Sequence, residues 1–144
     1  MTSGIIEILI EDAGVQALVG KTVDDSKYKV FPVVAEQKDK AGNDNKAPYI
    51  TVYKPGNDSI TSLTKDLPSQ LDYPRVVVAC WSKNFRPTEL MFEAIRSALD
   101  NKRATTDNGY TFNRIWLVDD RDGYEEKSGL YCHVATFACE LDDQ

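Results

Sequence analysis

The stretch from Tyr73 to Trp81 constrains the architecture most. In an extended chain Tyr73, Arg75, Val77, Ala79 and Trp81 fall on one face and Val76, Val78 and Cys80 on the other, so the middle is apolar on both sides. Such a strand belongs in the centre of a sheet, and the rest of the chain must supply neighbours for both edges and cover for its faces.

Strand-like neighbours are present. Lys29 to Ala35 is rich in β-branched and aromatic residues but contains Pro32, which cannot donate to a ladder, so it reads as an edge or bulged strand. Pro48 to Tyr53 is a second strand, closed by the turn signal Pro55-Gly56-Asn57. Asn108-Gly109 leads into a strand from Tyr110 to Val118, a polar hairpin spans Asp119 to Ser128, and the last strand runs from Leu130 to Leu141.

Two helical segments provide the cover. Ile5, Ile6, Leu9, Ile10, Leu18 and Val19 recur at helical spacing with Glu7 and Glu11 turned outward, interrupted at Asp12-Ala13-Gly14 and stopped by Gly20. In the second, Pro87 sits near the first helical position. Leu90, Met91, Ala94, Ile95, Ala98 and Leu99 then share a face, with Glu89, Glu93, Arg96, Ser97 and Asp100 on the other. The expectation is one α+β domain over 1–144, with a mostly antiparallel sheet of about five strands packed against two helices.

Two connections stand apart. Residues 36–46 hold no large apolar side chain and several turn formers, which reads as a mobile loop. Asp58 to Gln70 is rich in Ser and Thr with isolated Ile60, Leu63 and Leu67, too apolar for a solvated loop and too irregular for a strand. It reads as an extended arm whose three anchors order on a partner, the leading candidates for an assembly interface.

At 144 residues, one compact core is the default, stable without disulfide or metal. Seventeen basic against 23 acidic residues leave a net charge of -6, which disfavours a grip on nucleic acid, since that depends on cationic side chains displacing counterions. Cys80, Cys132 and Cys139 show no C-x-x-C spacing and are expected as free thiols in a reducing compartment. Met1 to Gly14 carries Glu7, Glu11 and Asp12 without a basic leader and does not read as a signal peptide.

The chemistry-bearing patterns are sparse. The eight glycines form neither G-x-G-x-x-G nor G-x-x-x-x-G-K-[ST], and there is no G-x-S-x-G elbow or H-E-x-x-H pair. His133, the single histidine, would have to act as base for Cys132 or Cys80, yet Cys132 is its strand neighbour and points to the opposite face. It is expected as a strand histidine at an edge or interface.

Asp119 to Glu126 invites a calcium reading, but with Gly123 as the loop glycine the first and last ligand positions fall on Val118 and Gly129. A solvated turn is expected, with Asp120, Asp122, Tyr124 and Glu125 as a secondary candidate interface. Trp81, Trp116, Tyr131 and Phe137 read as core or interface rather than as a base-stacking platform, having no interleaved cations. No catalytic, metal-ligating or cofactor-binding residue is assigned, and the chain is expected not to be an enzyme.

Read in order, Val15–Gly20 (VQALVG), Tyr28–Val33 (YKVFPV), Ala47–Lys54 (APYITVYK), Arg75–Ser82 (RVVVACWS), Ala94–Asp100 (AIRSALD) and the ending DDRDGYEEKSGLYCHVATFACEL resemble a known group. They are similar to the small tail-completion, or tail-terminator, proteins of long-tailed bacteriophages and prophages. The resemblance implies a non-enzymatic virion assembly protein that forms a homo-oligomeric ring, typically a hexamer, on the finished tail tube. The ring would stop tube growth and meet a head connector or stopper. The implied partners are further copies of itself, the tail tube protein and that connector, with DNA only passing through the lumen and no membrane. Its place would be the tail-neck region of the virion, reached from the host cytoplasm during assembly. The rival readings are another head-tail connector, such as a stopper or head-completion protein, and a small-molecule-binding domain, which would need a pocket with convergent polar groups.

Overall fold

The computed structural model describes residues 1–21, 28–32, 47–55, 73–107 and 109–141. The loop 36–46 and the arm with Ile60, Leu63 and Leu67 lie outside them.

The first apolar segment is two helices, α1 (Thr2–Glu11) and α2 (Ala13–Val19). Asp12 between them is extended, at φ -84 and ψ 122, and its carboxylate accepts the Val15 N–H at 3.0 Å. The same residue thus ends one helix and caps the next. The α2 stop is Gly20, whose φ of 67 only glycine adopts without strain and whose N–H donates to the Gln16 carbonyl.

The strands are β1 (Val30–Pro32), β2 (Tyr49–Tyr53), β3 (Arg75–Ser82), β4 (Lys102–Thr105), β5 (Thr111–Glu125) and β6 (Leu130–Leu141), with α3 (Phe85–Leu99) after β3. They form one sheet in the order β1-β2-β3-β6-β5-β4. β1 pairs parallel with β2; the other pairings are antiparallel. β3 is central, and β1, the proline-containing strand, is at the edge.

Among the described residues the sheet therefore has six strands rather than about five, and there are three helices rather than two. The missed strand, β4, offers only Ala104 as an apolar residue, too weak a pattern to register. Its entry is set by Asn101 at φ 60, with the Asn101 N–H donating to the Ile115 carbonyl at 2.6 Å. Asparagine tolerates that conformation better than most residues.

The helices cover one face. Ile5 and Leu9 of α1, Val15 of α2, and Met91, Ile95 and Leu99 of α3 are at most 1% exposed and join the cluster formed by Val76, Val78, Cys80, Phe137 and Cys139. Each such side chain contributes about 1.5–3 kcal/mol when fully buried. Leu90, expected on the inner face of α3, is instead exposed, and Thr88 is buried in its stead. The Thr88 hydroxyl donates to the Phe85 carbonyl at 2.5 Å, which satisfies the polar group inside the core.

Candidate assembly surface

β5 and β6 form a long hairpin, and the segment expected to be a solvated turn is mostly strand. Pairing runs from Phe112↔Leu141 to Glu125↔Leu130, leaving only residues 126–129 as the turn. Gly129 at φ 71 donates its N–H to the Glu125 carbonyl at 2.9 Å and closes it. A register shift between Leu117 and Asp119 inserts one extra residue. A β-bulge of this kind resets the alternation, so Leu117, Asp120 and Asp122 all end up on the helix-covered face.

That shift brings Asp122 directly opposite His133. His133 Nδ1 lies 2.5 Å from Asp122 Oδ1, and Nε2 lies 2.8 Å from Asp120 Oδ2. The ring is stacked on Phe92 of α3, with centroids 4.1 Å apart, and is only 8% exposed. Carboxylate oxygens only accept, so both contacts are hydrogen bonds when both ring nitrogens carry a proton. The histidine expected at an edge or interface is thus on β6, which is not an edge strand, clamped between two carboxylates. The sequence carried a signal for this in D-x-D spacing, which places two carboxylates on one strand face.

Beyond the clamp the rings continue outward. Tyr124 is opposite Tyr131, with centroids 4.8 Å apart, and Tyr131 meets Phe85 edge-on at 6.0 Å. Tyr131, expected in the core or an interface, is 38% exposed, while Phe137 is fully buried and Trp81 and Trp116 are half-buried. Of the secondary candidate set, Asp120 and Asp122 meet at His133 and Tyr124 joins the ring cluster. Glu125 does not join them: it is on the opposite face, where burial first and then its carboxylate push the Tyr49 phenol up.

On that opposite face Gly123 is across from Cys132, whose Sγ would sit 3.0 Å from a Cβ at position 123. Further along, Tyr73 packs edge-on against Trp116, with centroids 5.1 Å apart. A shallow groove here is lined by residues that include Tyr73, Arg75, Trp116, Val118 and Ala138. The Arg114 guanidinium lies 5.1 Å from the Trp116 ring centre.

The three cysteines are free and buried. Desolvation pushes the Cys80 thiol up to about 12, and Cys80 Sγ lies 3.4 Å from the Thr88 carbonyl and 3.5 Å from the His133 carbonyl. With both His133 nitrogens engaged by carboxylates, the described residues bring no thiol and imidazole nitrogen together as nucleophile and base. Glu7, Glu11 and Asp107 place carboxylate oxygens within 4.8 Å of one another, the set best able to meet a cation, although Glu7 already accepts the Asp107 N–H at 2.8 Å. No helix among the described residues is long and apolar enough to cross a membrane.

These elements define an α+β protein whose mixed six-stranded sheet is covered by helices on one face. The same fold occurs in a chain of the solved structure described as "Virion of native gene transfer agent (GTA) particle", with a TM-score of 0.63 at 14% identity, covering 99% of this chain and 95% of that one. No protein-family model matches the sequence. No curated protein sequence matches it either.

Proposed function

We propose that this protein is a structural subunit of a phage-like virion, and within it a ring-forming subunit at the tail-neck junction. In that role it ends the growth of the tail tube and presents a face to the head connector. The observation that carries the reading is the shared fold with a chain of a gene transfer agent virion, which extends over nearly the whole of both chains. The order of sequence segments described above supports the tail-terminator role. A ring through which DNA leaves a capsid should not retain phosphates, and a net charge of -6 suits that requirement.

The test is genetic and structural. Removing the gene from its phage or prophage should give tails of uncontrolled length, and the protein should map to the tail-neck junction in an electron-microscopic reconstruction. Tails of normal length that fail to join heads would identify a stopper or head-completion protein instead. Intact, infectious particles lacking the protein would remove the virion reading altogether.

A further inference from the structure

We propose that the acidic end of the β5–β6 hairpin of one copy docks in the Tyr73–Trp116 groove of a second copy, its carboxylates against Arg75 and Arg114. This deepens the ring reading and rests on it only for the closure of the assembly. The occupant follows from charge and geometry within this one chain.

The hairpin end is acidic and presented outward. Between Asp119 and Lys127 five carboxylates stand against two cations. Pairing with β4 ends at Ile115, so among the described residues nothing flanks the outer side of β5 from Asp119 to Glu125. The end is also held rigid, by ladder pairing to β6, by the His133 clamp and by the Tyr124–Tyr131–Phe85 ring contacts. A segment already ordered loses little freedom on docking.

The groove offers the complement. Tyr73 is 43% exposed and Val118 39%, and the flanking Arg75 and Arg114 make no ion pair with a described residue. Arg114 rests over Trp116 and reaches Asn101 Oδ1 at 3.5 Å rather than a carboxylate. Tyr, Trp and Arg are the residue types that concentrate binding energy at protein interfaces.

The hairpin tip, Glu125 and Glu126, cannot reach its own groove. Nine positions of strand separate Trp116 from Glu125, which at about 3.3 Å per residue places them more than about 25 Å apart. The contact is therefore between copies, and it joins two different surfaces. Contacts of that type propagate head to tail and close into rings when the rotation permits.

The experiment uses the full chain, with charge reversal on each side away from the His133 clamp. Sedimentation velocity of the wild type should show oligomers that dissociate as salt is raised. Glu125→Arg with Glu126→Arg, and separately Arg75→Glu with Arg114→Glu, should each weaken association about a hundredfold while leaving the circular dichroism and melting temperature nearly unchanged. Mixing the two variants pairs each wild-type surface with its wild-type complement and each reversed surface with its reversed complement, so the mixture should regain an oligomer of alternating copies. Combining all four substitutions should restore the oligomer. Association that survives either reversal, or a wild type still monomeric at about 1 mM, overturns the docking. Neither result touches the virion reading, which stands or falls on the particle itself.

Discussion

At the scale of single residues, the side chain with the most at stake is His133. It is buried, yet both its nitrogens face carboxylates that are themselves partly in water. Replacing it by phenylalanine keeps the stacking on Phe92 but leaves Asp120 and Asp122 facing each other across an apolar ring. His133→Phe is expected to cost about 1–3 kcal/mol, read from urea unfolding. Adding Asp120→Asn and Asp122→Asn should shrink that cost, because the uncompensated charges are then gone; a cost unchanged by the neutral pair would show that the clamp is only packing. The clamp was half legible in the sequence. D-x-D spacing announces two carboxylates on one face, but which residue faces them depends on the bulge at Val118, and no local pattern marks a bulge between two apolar residues and a run of aspartates.

At the scale of elements, the best-read pieces are β3, apolar on both faces, and α3, whose inner face apart from Leu90 keeps a clear helical spacing of apolar residues. Their patterns come from the core they join. Asp12 illustrates a feature that sequence shows only coarsely: an interruption by a residue that favours a cap or a break was expected there, and the structure makes the residue the cap of a separate helix. Asp12→Ala is expected to lower stability by about 0.5–2 kcal/mol, and Asp12→Ser to recover most of it, as measured by thermal unfolding. Equal losses for both variants would show that the carboxylate does not act as a cap. The reading failed for β4 and for the outer half of β5 for one shared reason. Strands that bury few side chains carry few apolar residues, so Lys102–Thr105 and Asp119–Glu125 look like connections although they are paired in the ladder.

At the scale of the whole molecule, sheet order was beyond the sequence. β6, the last strand, inserts between β3 and β5, and nothing local to Leu130–Leu141 distinguishes an inner position from an edge except its continuous apolar content. Burial in this arrangement has a pH consequence. Desolvation pushes the Cys80 and Cys139 thiols up to about 12, against an ordinary value of 9.0. Below pH 9 both folded and unfolded chains keep these protons and stability is full. Above it the unfolded chain releases protons that the folded chain retains, so stability falls as pH rises toward 12. The denaturation midpoint in urea should therefore drop between pH 8 and pH 10.5, and the Cys80→Ala, Cys139→Ala double variant should show a smaller drop. An equal drop in that variant would assign the alkaline loss to other groups.

Among the described residues the outer side of β5 is bare beyond Ile115, and this has a further meaning for the chain before it meets any partner. A strand edge displays a row of unpaired amides and carbonyls, a template on which any extended peptide can grow, and many proteins guard such edges with charge. Here the guards are Asp119, Asp120, Asp122 and Glu125, spaced along the edge beyond the last β4 pairing. Neutralising Asp119 and Glu125, which are outside the His133 clamp, to Asn and Gln should leave the fold intact but make concentrated solutions scatter light and bind amyloid dyes on warming, while the wild type stays clear. Repulsion between like edges would then be what keeps newly made copies apart, so that sheet does not add to sheet.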